Sequence, residues 1–517
     1  MPDLHDLFSR AIDDVPGFDS VAVRRVVARR RRRRLVGAAA FVVVVVTTGG
    51  ALVATARDHD RQVFIAPPHG GTTTTSPRTT STTGPSGPLG YPTVDTHPDA
   101  FRGFGKIAYP SGSALMVLDG SGAAPRSVSL PGPAERIRWS PDGAWLAVQT
   151  HSGARAANGQ GELFVMRADE PTRVRVLVSA TVADWQWSPT RAVLAVVNQT
   201  AARNGSIVLF SAPDFATPDA NPTATGFPAG FLAWSPDGAR LLFNTYTAQP
   251  PFVDQLWSVD ESGCPPACTS SPREIPVGIH PEPQSDLGFL FGGWSADGSR
   301  LLIRLDTAHS ASSVMDGLAV ESITLDGASK VELPGMLVKP SWTATVPGTA
   351  TAVMAVGGQR DWDAHRQLDS CDLDTGACTP LVVNPGPTID PAVSPDGRRL
   401  AYVATDPVVF ANNAELPPKS SIRWSRSRRL VVTSLDNQNP QVIATDGVVA
   451  PRWAADARHL VFWRAGYLWL VDADRPEPVA IAGQLAPRLD DLGVGAFEEL
   501  PYILPGDDVW DTVAWLP

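Results

Sequence analysis

Reactive and metal-binding side chains are sparse in this chain of 517 residues, which holds four cysteines, nine histidines and very little lysine. It has no Gly-x-Ser-x-Gly elbow, no His-Glu-x-x-His helix and no phosphate-cradling loop ahead of a helix, so the common signatures of serine hydrolases, zinc proteases and nucleotide-binding enzymes are missing. The pairs Cys264/Cys268 and Cys371/Cys378 are not joined by a histidine or further cysteine at zinc spacing. Asp372-Leu-Asp-Thr-Gly376 lacks the remaining oxygen ligands of a calcium loop and reads as a polar hairpin turn. No catalytic residue, cofactor or metal site is therefore expected. Arginines crowd the first 34 residues while the remainder is acidic, giving a net charge of −10 and no nucleic-acid signature beyond the N-terminus. The abundance of Ala, Arg, Val and Pro suggests a high-GC bacterial gene.

What is present is a repeat. Trp-Ser-Pro-Asp-Gly stands at Trp139–Gly143 and Trp234–Gly238, returns as Trp294-Ser-Ala-Asp-Gly298, and has valine leading at Val393–Gly397. Weaker copies begin at Trp187, Trp342 and Trp453, and Ala514-Trp515-Leu-Pro517 closes the chain. Successive positions lie about 47 to 60 residues apart, the spacing of a repeat architecture. In each unit an alternating stretch runs into the motif and a second follows it, so a tight turn joins two strands. Proline presets the first turn dihedral, aspartate bonds the following backbone, and glycine takes the positive φ. Third strands follow at Glu162–Met166, Ser206–Phe210, Gln255–Val259, Arg429–Thr433 and Tyr467–Val471, with a less regular fourth. The motif aspartates thus read as turn formers and the tryptophans as packing between units.

These units resemble the repeats of TolB-type propellers, which are WD-repeat-like, with a Trp-Ser-Pro-Asp-Gly hairpin and a strand ending in Asp or Asp-Gly. The endings Asp119-Gly120, Asp260, Asp326-Gly327, Asp436 and Asp472 fit. The resemblance covers 101–517 and implies an all-β propeller of four-stranded antiparallel blades. It implies no particular function, because the scaffold hosts many. Before the first full unit, Lys106–Tyr109, Ala114–Leu118 and Arg126–Leu130 read as strands two to four of a blade whose first strand is Thr512–Trp515. Eight blades result, or seven if the Trp342 unit is degenerate. The incomplete motifs after Trp187, Trp342 and Trp453 predict wider or irregular turns.

Leu35–Ala56 is an uncharged stretch long enough to span a hydrocarbon core of about 30 Å as one transmembrane helix. The arginines Arg29–Arg34 precede it, and the positive-inside tendency puts residues 1–34 in the cytoplasm as a short head and the rest outside. Ala54-Thr55-Ala56 resembles a signal-peptidase site, but the long leading segment and the long apolar run favour an uncleaved single-pass anchor. Residues 57–100, rich in Thr, Ser, Pro and Gly, have no apolar period and form a linker with a reach of about 35 Å, taking roughly 5–6 Å × √n. All four cysteines follow the span. Disulfides Cys371–Cys378 and Cys264–Cys268, each on a hairpin between a third and a fourth strand, suit an oxidising extracytoplasmic compartment.

Turns between strands one and two share a face with those between three and four. The opposite face, which usually carries the ligand in propellers, is built from longer connections: 151–161, 245–254, 306–317, 357–366 and 406–428. Tyr246, Phe252, Trp362, His365, Phe410 and Trp424 lie there, with the basic cluster Lys419, Arg423, Arg426, Arg428 and Arg429, and form the candidate ligand face. A solvated basic loop is the plainer reading of that cluster.

The function expected is a membrane-anchored, non-enzymatic binding or scaffolding module that takes a protein, peptide or envelope glycan. The alternative is a transmembrane regulator. Leu4, Leu7, Phe8, Ile12 and Val15 stand near helical spacing, and residues 1–34 resemble the cytoplasmic heads that accompany extracytoplasmic-function sigma factors. The head lacks the His-x-x-x-Cys-x-x-Cys motif of many of them, and Pro16-Gly17 interrupts its helix.

Overall fold

The computed structural model describes residues 93–517 apart from 112–113, 131, 152–160, 171–173, 179–181, 200–204, 216–218, 224–230, 247–253, 262–270, 278–287, 307–316, 338–342, 358–365, 383–385, 407–425, 484–509 and 511–512. The head, the apolar stretch 35–56 and nearly all of the linker lie outside the described residues. Among those described, no helix is long and apolar enough to cross a membrane.

Eight antiparallel sheets of four strands form the blades of a propeller. Blade 1 is composite: Arg126–Ser129, Ala114–Leu118 and Lys106–Ser111 pair in that order, and Ala514–Leu516 from the chain's other end adds the innermost strand, with Ile107 opposite Trp515. Blades 2 to 8 follow in sequence, with innermost strands Ala134–Trp139, Val182–Trp187, Leu232–Trp234, Gly288–Trp294, Thr343–Thr345, Thr388–Val393 and Val448–Trp453. The Trp342 unit is thus a full blade, and the count is eight.

Period-two alternation explains why the middle strands read as unbroken apolar runs. In blade 2, Leu146, Val148, Phe164 and Met166 pack with Leu115, Val117 and Ala514 of blade 1, whereas Ala147, Leu163 and Val165 pack with Trp185 and Leu194 of blade 3. Both faces of each sheet are buried against a neighbour, so each strand can be apolar at every position. The core between blades 8 and 1, built on Val461, Leu468, Phe101, Ile107 and Trp515, completes the circle.

The repeated tryptophans join the blades through hydrogen bonds as well. Trp187 Nε1 donates to Arg138 O at 3.2 Å, Trp234 to Gln186 O at 3.3 Å and Trp453 to Ala392 O at 2.9 Å, each reaching back to the preceding blade's inner strand. A second strap lies outside the repeat. Residues 93–105 run down the seam between blades 8 and 1, with His97 N donating to Ala480 O, Gly103 N to Gly120 O, and Trp515 Nε1 to Phe104 O. Phe101 at its centre is fully buried.

The incomplete turns are not wider. Ser188 N reaches Val193 O and Ala454 N reaches His459 O, both at 2.8 Å and over the same span as Ser140 N to Trp145 O. In blade 8, Ala457 takes φ 55 where the full motif has glycine. Blade 6 differs from the expectation in another way: its turn is Val346-Pro347-Gly348-Thr349, with Val346 N bonded to Thr351 O. Thr345 therefore fills the place that tryptophan takes in most blades and Val393 in blade 7, and Trp342 falls three residues too early.

Candidate binding face

The two ends of the propeller use polar side chains differently. On the turn face, the Ser140 hydroxyl donates to Asp142 Oδ1 at 2.5 Å, the same oxygen accepts Ala144 N, and Trp145 N donates to Ser140 Oγ. The arrangement recurs at Ser235/Asp237, Ser295/Asp297 and Ser394/Asp396, and in third-to-fourth turns at Thr324/Asp326 and Ser434/Asp436. Gly143 and Gly238 have φ 64 and 67, as the turn requires. Hydroxyl donors hold the carboxyls of Asp237, Asp326, Asp396 and Asp436 below the usual range. Ionised and engaged within their own turns, these aspartates are structural.

A groove of about 650 Å³ opens on this face between blades 1 and 2, lined by Lys106, Asp119, Arg126, Trp139, Asp142, Arg167 and Asp169 among others. Its cations are occupied: Lys106 Nζ donates to Gly143 O, Arg126 to Ala168 O, and Arg167 grips both oxygens of Asp169. The Arg167 hydrogen bond holds Asp169 down to about 2. These groups close the seam on themselves.

At the opposite end, charged and polar residues are buried at the mouths of the long connections. Asn244, Thr245 and Asp254 flank 247–253; Arg304 and Asp306 precede 307–316; Arg366 follows 358–365; Thr405 and Arg428 flank 407–425. Several tie strand ends together. Asp254 Oδ2 accepts Phe289 N from the next blade at 3.1 Å, Asn244 Oδ1 accepts Phe231 N at 2.9 Å, Arg304 Nε donates to Leu337 O, and Arg366 Nε donates to Gly357 O. Buried charge is costly unless paired and hydrogen-bonded. These bonds fix the described residues on either side of the connections.

The inner strands continue this polarity. Arg136 of blade 2 pairs with Asp184 of blade 3, whose second oxygen accepts Leu232 N of blade 4; Asp390 of blade 7 accepts Ala450 N of blade 8. Phe231 and Phe291 stack with ring centroids 5.3 Å apart. Trp510 fills the place beside blade 1, donating from Nε1 to Ala450 O, accepting from Arg138 at its carbonyl, and lying under Arg452. Among the described residues no cluster of His, Cys, Asp or Glu could hold a metal ion.

The five long connections do join second to third strands. Phe252, Trp362, His365, Phe410 and Trp424, with Lys419 and Arg423, lie outside the described residues, and so does the Cys264/Cys268 pair; Tyr246 is the last residue of Arg240–Tyr246. Of the basic cluster, Arg426 is exposed and Arg429 is paired with Asp406 at 2.7 Å. Arg428 corrects the expectation of a solvent-facing cluster. It is only 2% exposed, and its carbonyl accepts Gly447 N at the start of blade 8, so inter-blade packing withdraws it from the surface. Cys371 and Cys378 are disulfide-bonded directly across the third and fourth strands of blade 6. Sequence reading missed the buried collar, although Leu301-Leu-Ile-Arg304-Leu-Asp306 carries its signal: charges set inside an apolar run at a strand end.

No protein-family model matches this chain, and no curated protein matches it either. Among solved structures it is similar to a eukaryotic initiation factor (12% identity, 74% of this chain and 85% of that one, TM-score 0.46). It is also similar to TolB from Acinetobacter baumannii (11% identity, 74% and 64%, TM-score 0.31) and to dipeptidyl peptidase 4 from Porphyromonas gingivalis (11% identity, 75% and 61%, TM-score 0.49). At these identities and TM-scores the likeness carries no argument about what this chain does.

Proposed function

We propose that this propeller is a non-enzymatic binding or scaffolding module, held at the outer side of a membrane by residues 35–56 and gripping a protein, peptide or envelope glycan through its long-loop face. The observation that carries this reading is the difference between the two ends. The motif aspartates of the turn face are engaged within their own hairpins, whereas at the other end buried charged and polar residues flank four of the five long connections. Rigid scaffolds that present variable loops are a common design for recognition. By sequence Trp362 and Trp424 fall in those connections, and the exposed Arg426 stands at the end of one of them. Anchoring rests on the uncharged 35–56 stretch behind Arg29–Arg34. A reporter active only outside the membrane should work when fused after Thr83 and fail when fused before Arg29; the reverse pattern would overturn the outward placement.

The second reading, a transmembrane regulator, is favoured by the apolar spacing of Leu4, Leu7, Phe8, Ile12 and Val15 in the head. Residues 1–34 used as bait should then retain a sigma factor or another cytoplasmic protein, and failure to do so leaves the binding module alone.

A further inference from the structure

Glu261 differs from the turn aspartates described above. It follows the third strand of blade 4, Asp254–Asp260, and is 1% exposed. Neither carboxyl oxygen has a hydrogen-bond partner, whereas the turn aspartates around it are fully engaged. Period-two alternation sets its direction. Val259 packs in the core between blades 3 and 4, so Glu261 turns toward the same seam.

Among the described residues, the charged groups around it come from three elements. From the first turn of blade 3, Arg191 donates to Gly238 O at 3.1 Å and to the backbone carbonyl of Glu261 at 2.9 Å, with its guanidinium 5.9 Å from the Trp234 ring centroid. From the first turn of blade 4 come Asp237, tied to Ser235 and Ala239 N, and Arg240, while Glu261 N donates to Ala239 O. On its own strand Asp260 adds negative charge. Arg191 is thus the cation facing the buried carboxyl, and its hydrogen bonds shown here go to backbone carbonyls on either side of the seam.

We propose that Glu261 is a proton-operated lock on the seam between blades 3 and 4. Neutral, it can stay buried in the seam with neither oxygen hydrogen-bonded. Ionised, it leaves a bare carboxylate in an apolar seam, a state relieved only by drawing Arg191 away from the Gly238 and Glu261 carbonyls or by admitting water. Either route loosens the turn face at Gly238 and Trp234. The same burial pushes the Glu261 carboxyl from 4.5 up to about 7, with Arg191 opposing and Asp260 adding to the rise. The folded chain therefore keeps a proton that the unfolded chain has released between those values. Stability conferred by that proton is full at low pH and declines as pH rises through about 7.

The test compares the intact chain with its Glu261→Gln variant from about pH 5 to 8.5, reading denaturant unfolding and amide hydrogen exchange. Relative to the variant, the unfolding constant of the unaltered protein should rise more than about tenfold across the window. Exchange in residues 231–241, corrected for intrinsic rates, should accelerate above neutrality in the unaltered protein and stay level in the variant. Arg191→Gln should steepen the pH dependence, because the ionised carboxyl loses its counter-charge. Parallel pH profiles for the unaltered and Gln proteins, or unchanged exchange at 231–241 across the window, would overturn the proposal.

Discussion

The indole of Trp139 donates to the carbonyl of Ala514 at 3.2 Å, a bond between residues 375 apart in sequence. It ties the first complete blade to the last strand of the chain. Leu516 lies beside Gly143 in the same seam, and Lys106, opposite Leu516 in blade 1, donates to Gly143 O. Ring closure therefore depends on the terminal strand twice, through its pairing in blade 1 and through the indole of blade 2.

Removing the ring at this joint should be costly. Trp139→Ala deletes a buried indole from the core shared by blades 1 and 2, so equilibrium denaturation should show a loss of about 3–5 kcal/mol. Trp139→Phe keeps much of the packing and should recover most of it.

The turn aspartates should contribute stability that acid removes. Because the hydroxyl of Ser235 and the amide of Ala239 lower Asp237 from 3.8, its contribution is complete above that value and vanishes as pH falls through the folded-state value. Asp237→Asn should lower the melting temperature at neutral pH, and the gap between variant and unaltered protein should close as pH falls through the lowered folded-state value. Thermal melts across the acid range check this.

Cys371 and Cys378 lie seven positions apart, so their bridge restricts little of the unfolded chain. Replacing both by serine should destabilise by less than the usual range of about 2–4 kcal/mol, with the blade retained. Non-reducing peptide mapping of exported protein should recover Cys371 linked to Cys378.

Arg426 and Arg428 should behave oppositely. Reversing the exposed Arg426 should leave the melting temperature nearly unchanged, whereas Arg428→Glu buries an opposite charge where blades 7 and 8 meet and should cost about 3 kcal/mol or more. Circular dichroism melts of the two variants suffice.

The ring was legible because its turns are chemically demanding. Ser-Pro-Asp-Gly fixes a hairpin by side-chain bonds that few other residues make, and the composite blade followed from counting strands at both ends. Blade 6 departs from the motif because Trp342 has its residue type without its position. The usable signal was Pro347-Gly348, a plain turn dipeptide. Trp510 and the 93–105 strap escaped because their partners, Ala450 and Ala480, are backbone carbonyls, which leave no mark in side-chain pattern. Arg428 was misjudged for a related reason. In Arg426-Ser-Arg428-Arg429 composition is uniform, and contact with the next blade decides which arginine is buried.

The central claim is that the long-loop face meets the partner. A photo-reactive amino acid placed at Trp362 or Trp424 in the intact protein, and in parallel at Asp142 or Arg398 on the turn face, tests it most directly when the crosslinked species are identified by mass spectrometry. The account predicts a discrete adduct from positions 362 and 424 and none from 142 and 398. Adducts confined to the turn-face positions would contradict it.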